Sequence, residues 1–411
     1  MKKNKRHFCP RTVEKMIAML LTVIMMVSLD GCGNSTAKSN TGAVTKGNET
    51  AAADAENAGG VKLTDFKMGV LDTGGQDGTS TPLRNNYMAA IKSLGGTAVV
   101  AQPAGTTIDD YLDALDTLLN QNIDAVALPW VSFMYAGSPA AVKKCEDAGV
   151  YYGFYWGPGI QDLGEDTLSL CADSTLFLGA FYQQENTTAY NAMKTLHENG
   201  CNKLGYIGLA ADNEMRENSR DYGIQQACKD FNMEILVEQR DNSVTMTAEG
   251  GATTVENFLA AYPDMQGIIV AGNTQFVMPG VDQAITSKGL TDFKVAAIDF
   301  PDDMLAYAED GVLVYDAGAH VTGPVYITIL AANALNGTPL LTKGQSFNQQ
   351  YIMLTSTEEI KNWVSIQEEI VYNTEELRAC LKVLNPDFSL ETFNELVLNY
   401  SYNDIMKRHH D

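Results

Sequence analysis

The 411-residue chain carries few of the groups that do chemistry. It has five histidines: His7 near the start, His409 and His410 at the far end, and only His197 and His320 between. Neither HExxH nor GxSxG occurs, so the helix of a zinc protease and the nucleophile elbow of a hydrolase are both missing. The loop Gly74-Gly75…Gly78 follows neither the GxGxxG nor the GxxxxGK[ST] order, which removes the two glycine-rich phosphate cradles. There is no CxxC, and the seven cysteines have no zinc-site spacing. Five of them (Cys145, Cys171, Cys201, Cys228 and Cys380) lie beyond residue 32, an odd number that cannot pair completely. Buried free thiols are expected, with a single bridge such as Cys201–Cys228 left open. These absences predict a protein that is not an enzyme and has no metal or cofactor.

Positive charge is also scarce. Lys and Arg number 28 against 51 Asp and Glu, a net −23. Residues 1–31 hold six of the basic and two of the acidic residues, so the remainder carries 22 against 49, a net −27. Such a chain repels nucleic acid and anionic lipid and favours solubility. With 45% apolar residues it can still bury a large core, and its length predicts two domains.

What is present begins with a basic start (Lys2, Lys3, Lys5, Arg6, Arg11, Lys15), then an apolar run from Met16 to Leu29, then Leu29-Asp30-Gly31-Cys32. This reads as a secretory signal. The run spans about 21 Å, short of a ~30 Å hydrocarbon core. The cysteine after a small residue resembles a bacterial lipobox, with Asp30 as a departure from it. Residues 1–31 are therefore expected to be a lipoprotein signal, with Cys32 the lipidated residue that holds the protein at the outer face of the cell membrane. Residues 33–60 contain no aromatic residue and one valine, too little to offset ordering entropy; 32–60 is expected to be a tether.

Strands and helices then alternate. Lys67–Leu71 predicts a strand and Leu83–Leu94 a helix. Thr97–Ala101 predicts a strand, Thr107–Asn120 an amphipathic helix, Ala125–Pro129 a central strand, Ser138–Gly149 a helix and Val150–Tyr155 a strand. The rhythm restarts with a long helix over Leu178–Asn199, and strands at Lys203–Gly208, Ile235–Gln239, Gly267–Ala271 and Lys294–Ile298 alternate with further helices. Serial β-α units predict doubly wound parallel sheets.

The segments Met68–Leu71, Gln121–Leu128, Ala148–Val150, Asp173 with Gly179, Leu204–Gly208, Arg220–Gly223, Gly267–Asn273, Val295–Asp299, Asp310-Gly311 and Asn336-Gly337 stand in a telling order and spacing. Over about residues 64–345 they resemble the type I periplasmic-binding proteins, specifically the sugar-type solute-binding lipoproteins of ABC transporters. The resemblance implies an α/β chain of two doubly wound parallel-sheet lobes joined by a three-strand hinge. The expected division is 61–173 plus 320–341 for the N-terminal lobe, 174–319 plus 342–384 for the C-terminal lobe, and 385–411 for a tail. It also implies a monomer that closes on a small ligand, a sugar or sugar-like compound, and hands it to the transmembrane subunits of an ABC permease. The alternative is a sensor that signals to a membrane kinase or chemoreceptor, and the alternative ligand is a nucleoside or aromatic compound.

In open α/β sheets ligands lie beyond the carboxyl ends of the strands. That rule selects Asp72 and Gln76, Trp130 and Trp156 from the first lobe, and Arg220, Asn273 and Asp299 from the second. The resemblance implies that Arg220, Asn273 and Asp299 exchange hydrogen bonds with hydroxyls, which an Arg fork and a carboxylate can do in pairs. Each residue has a structural alternative: Asp72 bracing its turn, the tryptophans packing, Arg220 pairing with Asp221 or Glu217, Asn273 and Asp299 capping helices. Sugar-type relatives often carry Asp-Arg where this chain has Trp156-Gly157, Asn-Asp where it has Asn273-Thr274, and Gln where it has Ala319-His320. A more aromatic, less charged pocket is the expectation, with His320 in the hinge or at the surface.

Overall fold

The computed structural model describes residues 62–72, 79–157, 159–209 and 217–410; the expected signal, tether, Cys32 and Gln76 lie outside them. The first lobe alternates β1 (Phe66–Leu71), α1 (Ser80–Ser93), β2 (Gly96–Ala101), α2 (Ile108–Leu119), β3 (Ala125–Pro129), α3 (Trp130–Ala148), β4 (Tyr151–Gly157), α4 (Glu165–Cys171) and β5 (Phe177–Gln183). The second runs through α5 (Glu185–Glu198), β6 (Lys203–Gly208), α6 (Arg220–Phe231), β7 (Glu234–Gln239), α7 (Asn242–Thr245), α8 (Ala248–Ala261), β8 (Gly267–Ala271), α9 (Thr274–Ser287), β9 (Lys294–Ile298), α10 (Met304–Glu309) and β10 (Leu313–Gly318). The chain ends with α11 (Gly323–Leu335), β11 (Ser346–Gln349), β12 (Ile352–Leu354), α12 (Thr357–Ile366), α13 (Thr374–Ala379), α14 (Leu390–Asn399) and α15 (Tyr402–His410).

Two six-stranded sheets result, ordered β2-β1-β3-β4-β5-β11 and β7-β6-β8-β9-β10-β12. Every pairing is parallel except β10 with β12. Helices cover both faces, which is why β3 and β8 are buried at every position and read as unbroken apolar runs. At the amphipathic α2, Thr107 accepts from the Asp110 amide while Asp110 accepts from the Thr107 amide, and that reciprocal cap sets where the helix begins. Between α8 and α9 the backbones touch: a Cβ on Gly280 would sit 1.7 Å from the Ala248 carbonyl, so only glycine fits.

Three connections cross between the lobes: Gln183–Glu185, Gly318–Gly323 and Gln349–Ile352. The expected lobe boundaries need correcting. Phe177–Gln183 is a strand of the first sheet and not the start of a helix, so the first crossing falls at 183–185 instead of 173. Its near-continuous burial between β4 and β11 gives the same apolar run a buried helix would give, which is why periodicity misread it. Gly179, at φ 116°, accommodates this edge because a Cβ there would lie 2.3 Å from the Gln345 carbonyl.

Residues 342–384 do not belong to the second lobe alone. The strand β11 joins the first sheet and β12 the second. Beyond them α12 packs on α10 of the second lobe, α13 on α1 of the first, α14 on β11 and α15 on β12. The final segments therefore buttress both lobes, and Tyr400 donates to the carbonyl of Ala319 in the second crossing. One apolar core runs from Phe66 and Phe181 through Tyr326 and Phe393 to Trp363 and Ile207. The five described cysteines are all free, Cys201 and Cys228 included; only Cys228 is partly exposed.

Candidate functional site

The two sheets face each other with their carboxyl ends, and a cavity of about 630 Å³ opens between them. The rule of strand ends holds here because chain reversal after each parallel strand leaves a crevice where neighbouring connections turn to opposite faces. The first lobe contributes Thr79 and Ser80, Val131 and Trp156. Gln183, Glu185, His320 and Tyr351 come from the three crossings. The second lobe supplies Tyr206, Leu209, Asn218 to Asp221, Arg240, Ala271, Asn273, Gln275 and Asp299.

Local backbone geometry aims several of these side chains. The β4–β5 register slips between Tyr155 and Gly157, and Trp156 at the slip has φ 58°. Such a bulge redirects one side chain, here into the cleft, where its indole donates to the His320 carbonyl at 2.9 Å. Asn273 (φ 54°) and Asp299 (φ 76°) are also left-handed, as is Ala319 (φ 55°) beside His320. Four of the six described non-glycine residues with positive φ thus lie at or beside the cavity. Strained backbone concentrated at one cleft is a mark of a working site.

Arg220 organises the floor. Its Nε donates to Glu185 at 2.6 Å, one terminal nitrogen to the Ala271 carbonyl at 3.0 Å and Asp299 at 2.9 Å, and the other to Asp299 at 3.3 Å and the Tyr351 hydroxyl at 3.1 Å. The Tyr351 hydroxyl in turn donates to Glu185 at 2.8 Å. A guanidinium has five N–H groups, and all five are engaged within the protein. Burial acts to lower the Arg220 pKa, but Asp299 and Glu185 raise it further, so it stays charged. Burial likewise works to raise the Asp299 carboxyl, and Arg220 more than offsets it, holding the group below the usual carboxylate value. His320 goes the other way: burial pushes its pKa below the ordinary imidazole value, only partly countered by Asp299 and Glu185. Its Nδ1 is buried with no hydrogen-bond partner among the described residues, and its ring lies edge-on between Trp156 and Tyr351, at centroid distances of 5.5 and 4.8 Å.

A second ionic group closes the far wall. Arg240 donates to both oxygens of Asp221 at 3.0 Å and lies over the Tyr206 ring, 4.5 Å from its centroid, and Tyr206 also donates to Asp221.

Of the residues selected from sequence, Trp156, Arg220, Asn273 and Asp299 line this cavity together. Arg220 does so as a strut between two carboxylates, not as the free hydroxyl donor expected, and its partners are not Asp221 or Glu217. Asn273 directs both amide hydrogens at α7, to Asn242 at 3.1 Å and Thr245 at 2.8 Å, leaving its oxygen for a ligand. Trp130 is a correction: it is 5% exposed, packs edge-on against Tyr135 and Phe154, and covers Gly157, because α3 starts eight residues earlier than expected and turns the ring into the first core. Asp72 is ion-paired with Arg84 of α1 at 2.9 Å and is not among the residues that line this cavity; the turn it was expected to brace lies outside the described residues. Charge is present in the cleft, with three carboxylates and two guanidiniums in its lining.

The sequence reading missed Glu185, Tyr351, Asp221, Tyr206 and Arg240. Glu185 was hidden inside the misread helix over 178–199. Had β5 been recognised, the rule that selected Asp72 would have selected Glu185, and Arg240 follows β7 in the same way. His320 is in the hinge, as expected, and also in the cavity wall.

The profile described as "Periplasmic binding protein domain" matches residues 70–337. The chain belongs to that family. This periplasmic binding protein also resembles solved structures. A periplasmic solute-binding protein of an ABC transporter from Actinobacillus succinogenes with bound D-allose superposes at a TM-score of 0.59 and 17% identity, covering 72% of this chain and 99% of that one. An ABC transporter solute-binding protein from Agrobacterium vitis with α-D-tagatopyranose gives 0.57 at 15% identity, over 73% and 96%. A protein from Mycobacterium smegmatis in complex with β-D-fucofuranose gives 0.57 at 17%, over 77% and 98%. These likenesses establish the two-lobed fold. No curated protein matches by sequence. Tyr351 and the buttressing segments after β11 lie beyond the stretch that the family profile matches.

Proposed function

We propose that the protein is an extracytoplasmic solute-binding lipoprotein that captures a sugar or sugar-like compound and delivers it to an ABC permease. One observation carries this reading: a single cavity is walled by both lobes and by residues of all three crossings, Glu185, His320 and Tyr351. A guest touching those residues bonds to the hinge itself, so its binding energy biases the angle between lobes, and a permease that docks only the closed form then senses occupancy. Carboxylates with open lone pairs and the Trp156 ring supply the directed polar contacts and flat apolar face that a pyranose or furanose needs. The basic start, the apolar run and Cys32 support attachment by a lipid at the outer face of the membrane, with the monomer as the working unit.

A thermal-shift screen of hexoses, pentoses and nucleosides, followed by small-angle scattering with the best compound, tests capture. The expected result is a raised melting temperature and a smaller radius of gyration. Unchanged melting and unchanged scattering across the whole panel would overturn the reading. Attachment is tested by Cys32→Ala, which should move the protein from the membrane fraction to the soluble one.

A further inference from the structure

Hydroxyl and amide groups of Thr79, Ser80, Gln183, Asn218, Ser219 and Gln275 line other parts of the cleft, but on the floor around Arg220 the hydrogen-bonding capacity left over is one-sided. All five Arg220 donors are engaged by protein acceptors. Arg240 has spent its donors on Glu238, Leu209 and Asp221, with one N–H remaining. The Trp156 indole is used by the His320 carbonyl, the Tyr351 hydroxyl by Glu185, and both Asn273 amide hydrogens by α7. Acceptors are in surplus. A carboxylate offers about four lone-pair positions. Glu185 has received two hydrogen bonds and Asp299 two, both from side chains on Arg220 or Tyr351. These carboxylates are 27% and 26% exposed, and that exposure is to the cavity they line. Among the described lining residues Glu185, Asp221 and Asp299 outnumber Arg220 and Arg240, and His320 is held towards its neutral form by burial.

A neutral polyol meets that floor with only its donor half. Each of its hydroxyls both donates and accepts, and on this floor its oxygens meet the donors of Arg220, Trp156 and Tyr351 already spent. An ammonium has three N–H donors and no acceptor, which is what the floor lacks. Trp156 and Tyr351, with the His320 ring between them, line the same cavity. The strongly acidic chain also draws cations towards the cleft.

We infer that the ligand carries a protonated amine, received at the cavity-facing lone pairs that Glu185 and Asp299 keep after pairing with Arg220, where two carboxylates face one guanidinium, so that an amino sugar fits this cleft better than its neutral parent. This rests on the solute-capture reading above and narrows its ligand class. Charge-assisted hydrogen bonds contribute enough for a preference of roughly tenfold to a hundredfold.

The test is calorimetric titration of the intact protein with D-glucosamine, D-glucose and N-acetyl-D-glucosamine, the galactose counterparts, and spermidine as a cation that is no sugar. The amino sugars should bind at least about tenfold tighter than the neutral and N-acetylated members. Glu185→Gln keeps an acceptor for Arg220 and a partner for the Tyr351 hydroxyl. It should bring amino and neutral sugars within about threefold of each other while the unliganded melting temperature holds within a few degrees. If Glu185→Gln fails to fold, the wild type titrated at a pH where the amino sugar's amine is uncharged should lose the preference, and a preference that persists there would overturn the inference. Neutral sugars binding as tightly as amino sugars would overturn the inference and leave sugar capture intact. Spermidine binding with every sugar inert would support the selection of charge and overturn the carbohydrate reading. No heat with any compound would overturn both.

Discussion

Replacing Arg220 with methionine removes the cation and keeps a side chain of similar length. In the wild type its guanidinium, 13% exposed, bridges Glu185 and Asp299, offsets one of their two charges, and binds the Ala271 carbonyl and Tyr351. The variant leaves two carboxylates facing each other with no cation between them. Breaking a buried ion pair from one side costs about 3–5 kcal/mol. Both carboxylates are about a quarter open to the cavity, so solvent screening favours the lower end, about 3 kcal/mol. At about 2–4 °C per kcal/mol, the unliganded protein should melt about 6–12 °C lower, measured by scanning calorimetry at pH 7. The loss should also depend on pH. Asp299 is held below its ordinary pKa in the wild type, so the pair stabilises the fold above about pH 4 and fades only as pH falls further. In the variant, burial without the guanidinium raises the Asp299 carboxyl, so its penalty is largest at neutral pH and is relieved as it takes up a proton. The gap between the two melting curves should therefore narrow from pH 7 towards pH 4. A melting temperature within about 2 °C of wild type at pH 7, or a gap that widens on acidification, would refute the assignment of Arg220 as a strut.

The two tryptophans should separate cleanly. Trp130→Ala is expected to cost about 3–5 kcal/mol of stability by chemical denaturation, because a buried ring leaves a cavity in the first core. Trp156→Ala should cost less and abolish ligand binding by calorimetry; equal stability losses would sink the distinction. Asp316, fully buried on β10 with neither oxygen in hydrogen-bond geometry with a described partner, is pushed well above the ordinary carboxylate value by burial and by Asp299. A raised carboxyl contributes stability below about pH 4 and loses it as pH rises. Asp316→Asn should therefore gain on wild type between pH 4 and pH 8 in urea midpoints, and parallel profiles would argue against it. The His320 imidazole should titrate below 6.5 by NMR, so its contribution to stability declines as pH falls from 6.5 towards that midpoint; a midpoint above 6.5 would contradict its burial.

Much of the fold is legible in the chain because parallel α/β units repeat a local signal. Central strands such as Ala125–Pro129 are apolar throughout, amphipathic helices such as Ile108–Leu119 carry their own caps, and each unit is written in contiguous residues. The same property puts Trp156, Asn273 and Asp299 at strand ends and Arg220 at the start of the helix after β6. The failures share a cause. Phe177–Gln183 is buried on all sides, so the two-residue and 3.6-residue periods give the same string, and Glu185 vanished with the misread element. Trp130 and Trp156 both follow strands, and only packing separates a ring turned into the core from one turned out by a bulge.

By itself the sequence determined the class of the molecule: two α/β lobes, acidic, without the motifs of an enzyme, behind a start that reads as an export signal. Composition and periodicity are local quantities, and they suffice for that. Only the tertiary structure decided which sheet the short strands β11 and β12 join, that the terminal helices brace both lobes, and that Arg220 gives all its donors to Glu185, Asp299, Ala271 and Tyr351. Those partners lie 35 to 131 positions away from it along the chain. Whether a donor is free or spent depends on which distant groups the fold brings within three ångströms, and no local pattern records that.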